Sequence, residues 1–160
     1  MTRSLDYSSI KPKVSIILAS GSESRKLMLE EAGIVFDVII SPTDEDLIKN
    51  KISSLPYSEQ VVHLAKAKAE PVSKQNHGSI VIGGDQMCVL DNTLLHKPGS
   101  KEKAIESLKL LANQKHFQHS GVCTVSYTHL RAHETSEDRV FRLLLGKKKG
   151  GGGGGGGGGG

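Results

Sequence analysis

The chain has 160 residues, a length that suits one domain with a buried core, and its formal net charge is +4, with 36% hydrophobic and 24% charged residues. Six of the 21 Lys and Arg and three of the 17 Asp and Glu lie in residues 127–160, so residues 1–126 carry 15 basic against 14 acidic groups; a nucleic-acid partner, which needs a basic face, is excluded. No stretch approaches the apolar run that crosses a membrane, and MTRSLDYSSIKPK lacks the apolar centre of a secretion signal, so the expectation is a cytoplasmic protein without a membrane partner.

Residues 1–12 are polar and read as a flexible start. Residues 14–19 (VSIILA) are an apolar run bounded by polar residues, the pattern of a buried strand, and SGSES follows as a loop of small residues. Residues 25–32 place Leu27, Met28 and Ala32 on a short helix that Gly33 stops. Strand, loop and helix in that order open an α/β unit. Residues 35–40 (VFDVII) read as a second strand, ending in the turn-forming SPTDED. Residues 58–73 open on Ser58 as a cap candidate and set Val61, Val62, Leu64 and Ala65 at helical spacing; Pro71 is expected to end or bend that helix. A third strand covers residues 79–84. Its Gly83 and Gly84 mark a bulge or a close approach to the backbone, and Asp85 follows at the strand's carboxyl end, where open α/β sheets bind ligands. Residues 87–90 and 93–95 flank Asp91-Asn92, a two-residue hairpin turn. Residues 100–112 read as an amphipathic helix and 116–125 as a last strand. The fold class is α/β, with one domain over residues 13–125.

Cys88 and Cys123 lie in apolar runs with neither CxxC nor metal-ligand spacing, as expected of small hydrophobic residues in a reducing compartment. His63, His96, His116 and His119 show no HExxH spacing, so no zinc site is expected.

Polar groups recur at element edges: Ser20, Ser22, Ser24 and Arg25 after the first strand, Glu45 after the second, Asp85 after the third, Lys97 after the hairpin, and Lys68 facing outward from the helix between them. If these edges converge, one cleft holds carboxylates, lysines, an arginine and a serine loop. That set suits a phosphate ester and a divalent cation. Backbone N–H groups before a helix meet phosphate oxygens, and Arg binds phosphate bidentately. Mg²⁺ takes a carboxylate or two plus water and substrate oxygens, which Glu45 and Asp85 can supply. Taken singly, each feature has a plain structural reading: SGSES as an ordinary loop, Glu45 as a solvated charge, Asp85 as a turn cap, Lys66 and Lys74 as the wet face of a helix. Only the conjunction is informative.

LASGSESRKLMLEEAGIVFDVIISPTDED, LAKAKA, VIGGDQMCVLDNTLLHKP and the helix before KHFQHSGV resemble, in order, the motifs of the Maf family of nucleoside triphosphate pyrophosphatases, over about residues 14–125. The resemblance implies a mixed sheet flanked by helices, ITPase-like, with the C-terminal part of the fold missing. It implies hydrolysis of a nucleoside triphosphate to the monophosphate and pyrophosphate with Mg²⁺ or Mn²⁺, a house-cleaning activity on modified or non-standard nucleotides, and a homodimer for a full-length member. By the same resemblance Asp85 is the catalytic acid and proton acceptor. Glu45, Lys68 and Lys97 complete the charged site, Glu45 and Asp85 hold the metal, and Ser20, Ser22, Ser24 and Arg25 form the phosphate-side loop. Gly83 and Gly84 would let substrate reach the backbone. Gln86 stands at a position associated with base choice, where GxDQ resembles the branch acting on modified guanine nucleotides more than the dTTP and UTP branch. The family's loop commonly reads SPRR, where this chain has Glu23 and Ser24 in place of the proline and first arginine. The alternative is a non-catalytic nucleotide-binding regulator of cell division or septum formation.

Residues 126–160 are set apart. They carry no helix or strand period and end in glycines from Gly150 to Gly160, and VSYTHLRAHET resembles a translated sequencing adapter. On that reading the tail is artefactual and disordered, the sheet ends on an unpaired edge, and this polypeptide is a truncation with weak or no activity.

Overall fold

The computed structural model describes residues 12–127 together with the backbone of residues 139–149. Four helices and a six-stranded mixed sheet make up the α/β fold expected of the sequence. The strands run β1 (Ile16–Leu18), β2 (Asp37–Val38), β3 (Ile80–Leu90), β4 (Thr93–Leu95), β5 (His116–Ser126) and β6 (Arg139–Lys149). The helices are α1 (Glu23–Glu31), α2 (Glu45–Ile52), α3 (Tyr57–Gln75) and α4 (Lys101–Leu111). The sheet order is β2-β1-β3-β5-β6, with β4 paired to β3.

β1 is parallel to both β2 and β3, whereas β5 is antiparallel to β3 along its whole length, from Val81↔Val125 to Leu90↔His116. The other edge of β3 is shared: β1 pairs with Ile80–Ile82 and β4 with Cys88–Leu90. Among the described residues no strand takes that edge at 83–87, so the sheet has a notch there.

One face of the sheet is packed by α3. Val61, Leu64, Ala65, Ala69 and Val72 recur at helical spacing along it and are buried to 1% exposure or less, Ala65, Ala69 and Val72 against Val81, Cys123 and Val125 of β3 and β5. A second cluster gathers Ile52, Val61, Val62, Leu64 and Met87 under α2 and α3. α1 and α4 bury no residue.

The approach of α3 explains the two glycines at different faces. A Cβ on Gly83 would stand 2.1 Å from the Ala65 carbonyl oxygen, and one on Gly121 would stand 2.5 Å from the Val61 backbone. Both positions let the helix backbone touch the sheet. Gly84 faces the opposite side, where its Cβ would come within 3.0 Å of Arg25 Nε. The close approach to the backbone expected of the sequence is made at Gly83 by the α3 backbone, which leaves no room there for substrate, and at Gly84 by the Arg25 side chain.

Several boundaries also differ. The third strand does not stop at Gly84 but continues to Leu90, so Asp85 sits in mid-strand; it lies at the carboxyl end of β1, not of its own strand. SPTDED is more than a turn. Asp44 caps α2, its carboxylate accepting from Leu47 N at 3.1 Å, with Glu45 and Asp46 in the first turn and Lys49 and Lys51 in the last, charges that suit the helix dipole. α3 begins after Pro56 without a side-chain cap and runs through Pro71 to Gln75. The Asp91-Asn92 turn stands as expected, with φ of 45° and 63° that match a type I′ hairpin. Gly33, at φ 69°, ends α1, and Ile34 N reaches back to Leu29 O at 3.1 Å in a Schellman pattern.

β6 falls in the segment where the sequence shows no strand period. Its backbone pairs antiparallel with β5 from Ser126↔Arg139 to Phe117↔Lys149, so β5 is not left as an unpaired edge. Pairing needs only free backbone N–H and C=O groups, which any sequence supplies. Residues 1–11, 128–138 and 150–160 lie outside the described residues.

Candidate active site

The chain leaves β1 for β2 on one side and returns to β3 on the other, so the loops after β1 and β2 diverge and open a crevice at the carboxyl ends of these strands. A pocket of about 60 Å³ lies there, lined by Ser20 and Gly21 after β1, Ile40, Ser41 and Thr43 after β2, and Glu45 and Lys68.

Lys68 is the centre of the site. It lies on the buried face of α3, four residues after Leu64 and three after Ala65, and is 9% exposed. The outward orientation expected from the sequence is thus corrected. Its stem is packed and its ammonium emerges between two carboxylates, donating to Asp85 Oδ1 at 2.9 Å and standing 3.1 Å from Glu45 Oε1. Asp85 reaches it because alternation along β3 turns Val81, Gly83 and Asp85 toward α3, and Gly121, directly across the ladder from Asp85, offers no side chain in the way.

The two ion pairs differ in setting. Lys68 and Asp85 side chains are 11% and 12% exposed, whereas Glu45 is 42% exposed and also lies 3.6 Å from Lys49. Burial alone would push the Glu45 carboxyl upward, but the hydrogen bond and charge of Lys68, with Lys49 behind it, outweigh burial and hold it below the usual carboxylate value.

The phosphate-side loop is ordered by Ser20, 8% exposed, whose hydroxyl accepts from Ser22 N at 3.2 Å and from Arg25 Nη1 at 3.3 Å. Ser22 caps α1 by position, but its hydroxyl turns to Ser24 at 2.9 Å and makes no cap bond. Arg25 crosses the face of β3 opposite Lys68, over Gly84. Gln86 shares that opposite face and donates to Gln118 Oε1. Lys97 is exposed just beyond β4, which runs toward the notch, and it makes no ion pair with another described residue. The structure therefore brings Ser20, Glu45, Lys68 and Asp85 together on the α3 side of the notch, with Arg25, bonded to Ser20, and Gln86 on the opposite face and Lys97 just beyond β4. Ser41 and Thr43, absent from the sequence reading, line the same pocket. Nothing in SPTDED alone singled them out.

Two carboxylates are hard oxygen donors of the kind that hold Mg²⁺ or Mn²⁺. Among the described residues no group of three or more His, Cys, Asp or Glu converges, so a cation bound by Glu45 and Asp85 would fill its remaining positions with water and ligand oxygens. The residues fit such an ion.

A family model described as "Maf-like protein" matches residues 15–144. A Bacillus anthracis protein named "dTTP/UTP pyrophosphatase" is 39% identical over 111 residues, covering 69% of this chain and 56% of that protein. A Maricaulis maris protein named "Nucleoside triphosphate pyrophosphatase" is 40% identical over 106 residues, covering 66% and 54%. A Bacillus cereus protein with the same name as the first is 38% identical over 111 residues. The chain spans about half the length of the curated relatives it matches.

Proposed function

The chain belongs to the Maf-like protein family, and on that premise we propose that it carries the catalytic site of a pyrophosphatase that cleaves nucleoside triphosphates between the α- and β-phosphates. The observation that carries this reading is the Glu45–Lys68–Asp85 cluster at the sheet's switch point, beside a serine loop and Arg25. Relatives named as pyrophosphatases support the reaction class.

In this reading Arg25, Ser20, Ser22 and Ser24 bind the phosphate chain, with exposed Lys97 contributing charge from the rim. A cation held by Glu45 and Asp85, Mg²⁺ or Mn²⁺, would neutralise phosphate charge when bound. Asp85 accepts a proton from the attacking water, whose oxygen bonds to the α-phosphorus as the bridging P–O bond breaks and pyrophosphate leaves. Lys68 orients both carboxylates and, with Lys49, holds the Glu45 carboxyl below its usual range.

The substrate base is read at Gln86. Its GxDQ context favours modified guanine nucleotides, whereas two of the three relatives named above bear dTTP and UTP in their names. A panel of dTTP, UTP and standard and modified guanine triphosphates separates these choices. For the chemistry, pyrophosphate release by the intact protein is measured for Asp85→Asn, with an expected loss of about 10²–10⁴-fold in turnover as for removal of a general base. Unchanged turnover overturns the assignment, and nucleotide binding without turnover in the wild type points to a non-catalytic binder.

A further inference from the structure

Pro71 stands inside α3 and has no N–H, so the carbonyl of Ala67, four residues earlier, has no intrahelical donor. Thr43 takes that place. Its Oγ1 donates to Ala67 O at 2.7 Å, across 24 residues of sequence. Thr43 has a single hydroxyl proton, already committed to Ala67, so in the 2.7 Å contact between the Ser41 and Thr43 hydroxyls Ser41 is the donor. The relay Ser41 to Thr43 to Ala67 thus docks the loop after β2 onto the helix at the gap that the proline creates.

The dock sits beside the site on both chains. Glu45 follows Thr43 by two residues, with the α2 cap Asp44 between them, and Lys68 directly follows Ala67. The bond therefore ties the loop bearing one carboxylate to the helix bearing the ammonium. We propose that Thr43 is a positioning residue of this site: through the carbonyl freed by Pro71 it fixes the start of α2, and with it Glu45, opposite Lys68. Its bearing on turnover rests on the function proposed above; the docking itself rests only on the hydrogen bonds.

Four variants of the intact protein test it: Thr43→Val, Thr43→Ser, Pro71→Ala and the double variant Thr43→Val/Pro71→Ala. The readouts are the denaturation midpoint, pyrophosphate release, and amide exchange at Leu47 and Ile48, whose protons are held by the Asp44 side chain and carbonyl. Thr43→Val is expected to speed that exchange and to lower kcat, each by about tenfold, the loss of one hydrogen bond at a partly buried carbonyl. Thr43→Ser restores both. In the double variant the residue at 71 regains an N–H, so Ala67 O is satisfied within the helix and the midpoint recovers, while exchange and kcat stay at the Thr43→Val level. Unchanged exchange in Thr43→Val overturns the proposal, and so does a double variant that recovers exchange and kcat together with the midpoint. A wild type that releases no pyrophosphate defeats the functional reading, and the exchange pattern then decides the docking alone.

Discussion

Lys68 sets the terms at the scale of single residues. A lysine whose head serves two carboxylates holds each of them in place, and removing it takes the ion partner from Asp85, a carboxylate only 12% exposed. Glu45 has the testable acid response. Its carboxyl titrates below the ordinary value in the folded chain, so its ion pair contributes stability above that ordinary value and loses it as pH falls through the lowered one. The denaturation midpoints of wild type and Glu45→Gln are therefore expected to differ at neutral pH and to converge in acid. The difference should be small and shrink with salt, because the glutamate is 42% exposed. The residue types of this corner were legible in the sequence, as was their recurrence at element edges. The facing of Lys68 was misread: it shares a stripe with Val61, Leu64, Ala65, Ala69 and Val72, but a charged residue on a helix defaults to the solvent side.

Among elements, α3 and β3 are the pair whose contact decides the site. Their backbones meet at Gly83 and Gly121, leaving no room for a methyl group: at Gly83 it would overlap the Ala65 carbonyl. Gly83→Ala is expected to destabilise by about 1–3 kcal/mol as an overpacked contact, read by urea denaturation, and to move Lys68 away from Asp85. A midpoint equal to wild type would mean that the helix yields freely. The strand, hairpin and helix pattern was readable from periodicity and turn residues because those signals are local. The continuation of β3 through GGDQ was not, since glycines, an acid and an amide interrupt the apolar run and only pairing with β5 over ten residues holds it extended. α2 was missed for the opposite reason: its start, Asp44-Glu45-Asp46, carries the same residue types as a turn, and Leu47, Ile48 and Ile52 mark an apolar side too short to show a period. α3 ran past its proline because tertiary contact gave Ala67 another donor.

For the whole molecule, the mass of the core lies on one side of the sheet, under α2 and α3, while α1 and α4 bury nothing and expose Leu27, Met28, Ile105, Leu108 and Leu110. Hydrogen exchange is expected to divide accordingly: slowest in β3, β5 and the middle of α3, fastest in α1 and α4. Uniform protection across all four helices would contradict this division of the core. The fold class was legible because alternating strands and helices leave few architectures, and the notch was not, because it depends on β1 and β4 sharing one edge of β3, a matter of register that no local pattern encodes. The link between Thr43 and Pro71 makes two positions far apart in the chain depend on each other. A proline at 71 without a hydroxyl at 43 leaves the Ala67 carbonyl without its helical donor, whereas a threonine at 43 facing a complete helix would share that carbonyl with the backbone N–H. Where position 71 is proline, a hydroxyl at position 43 therefore replaces a donor that the helix itself cannot supply.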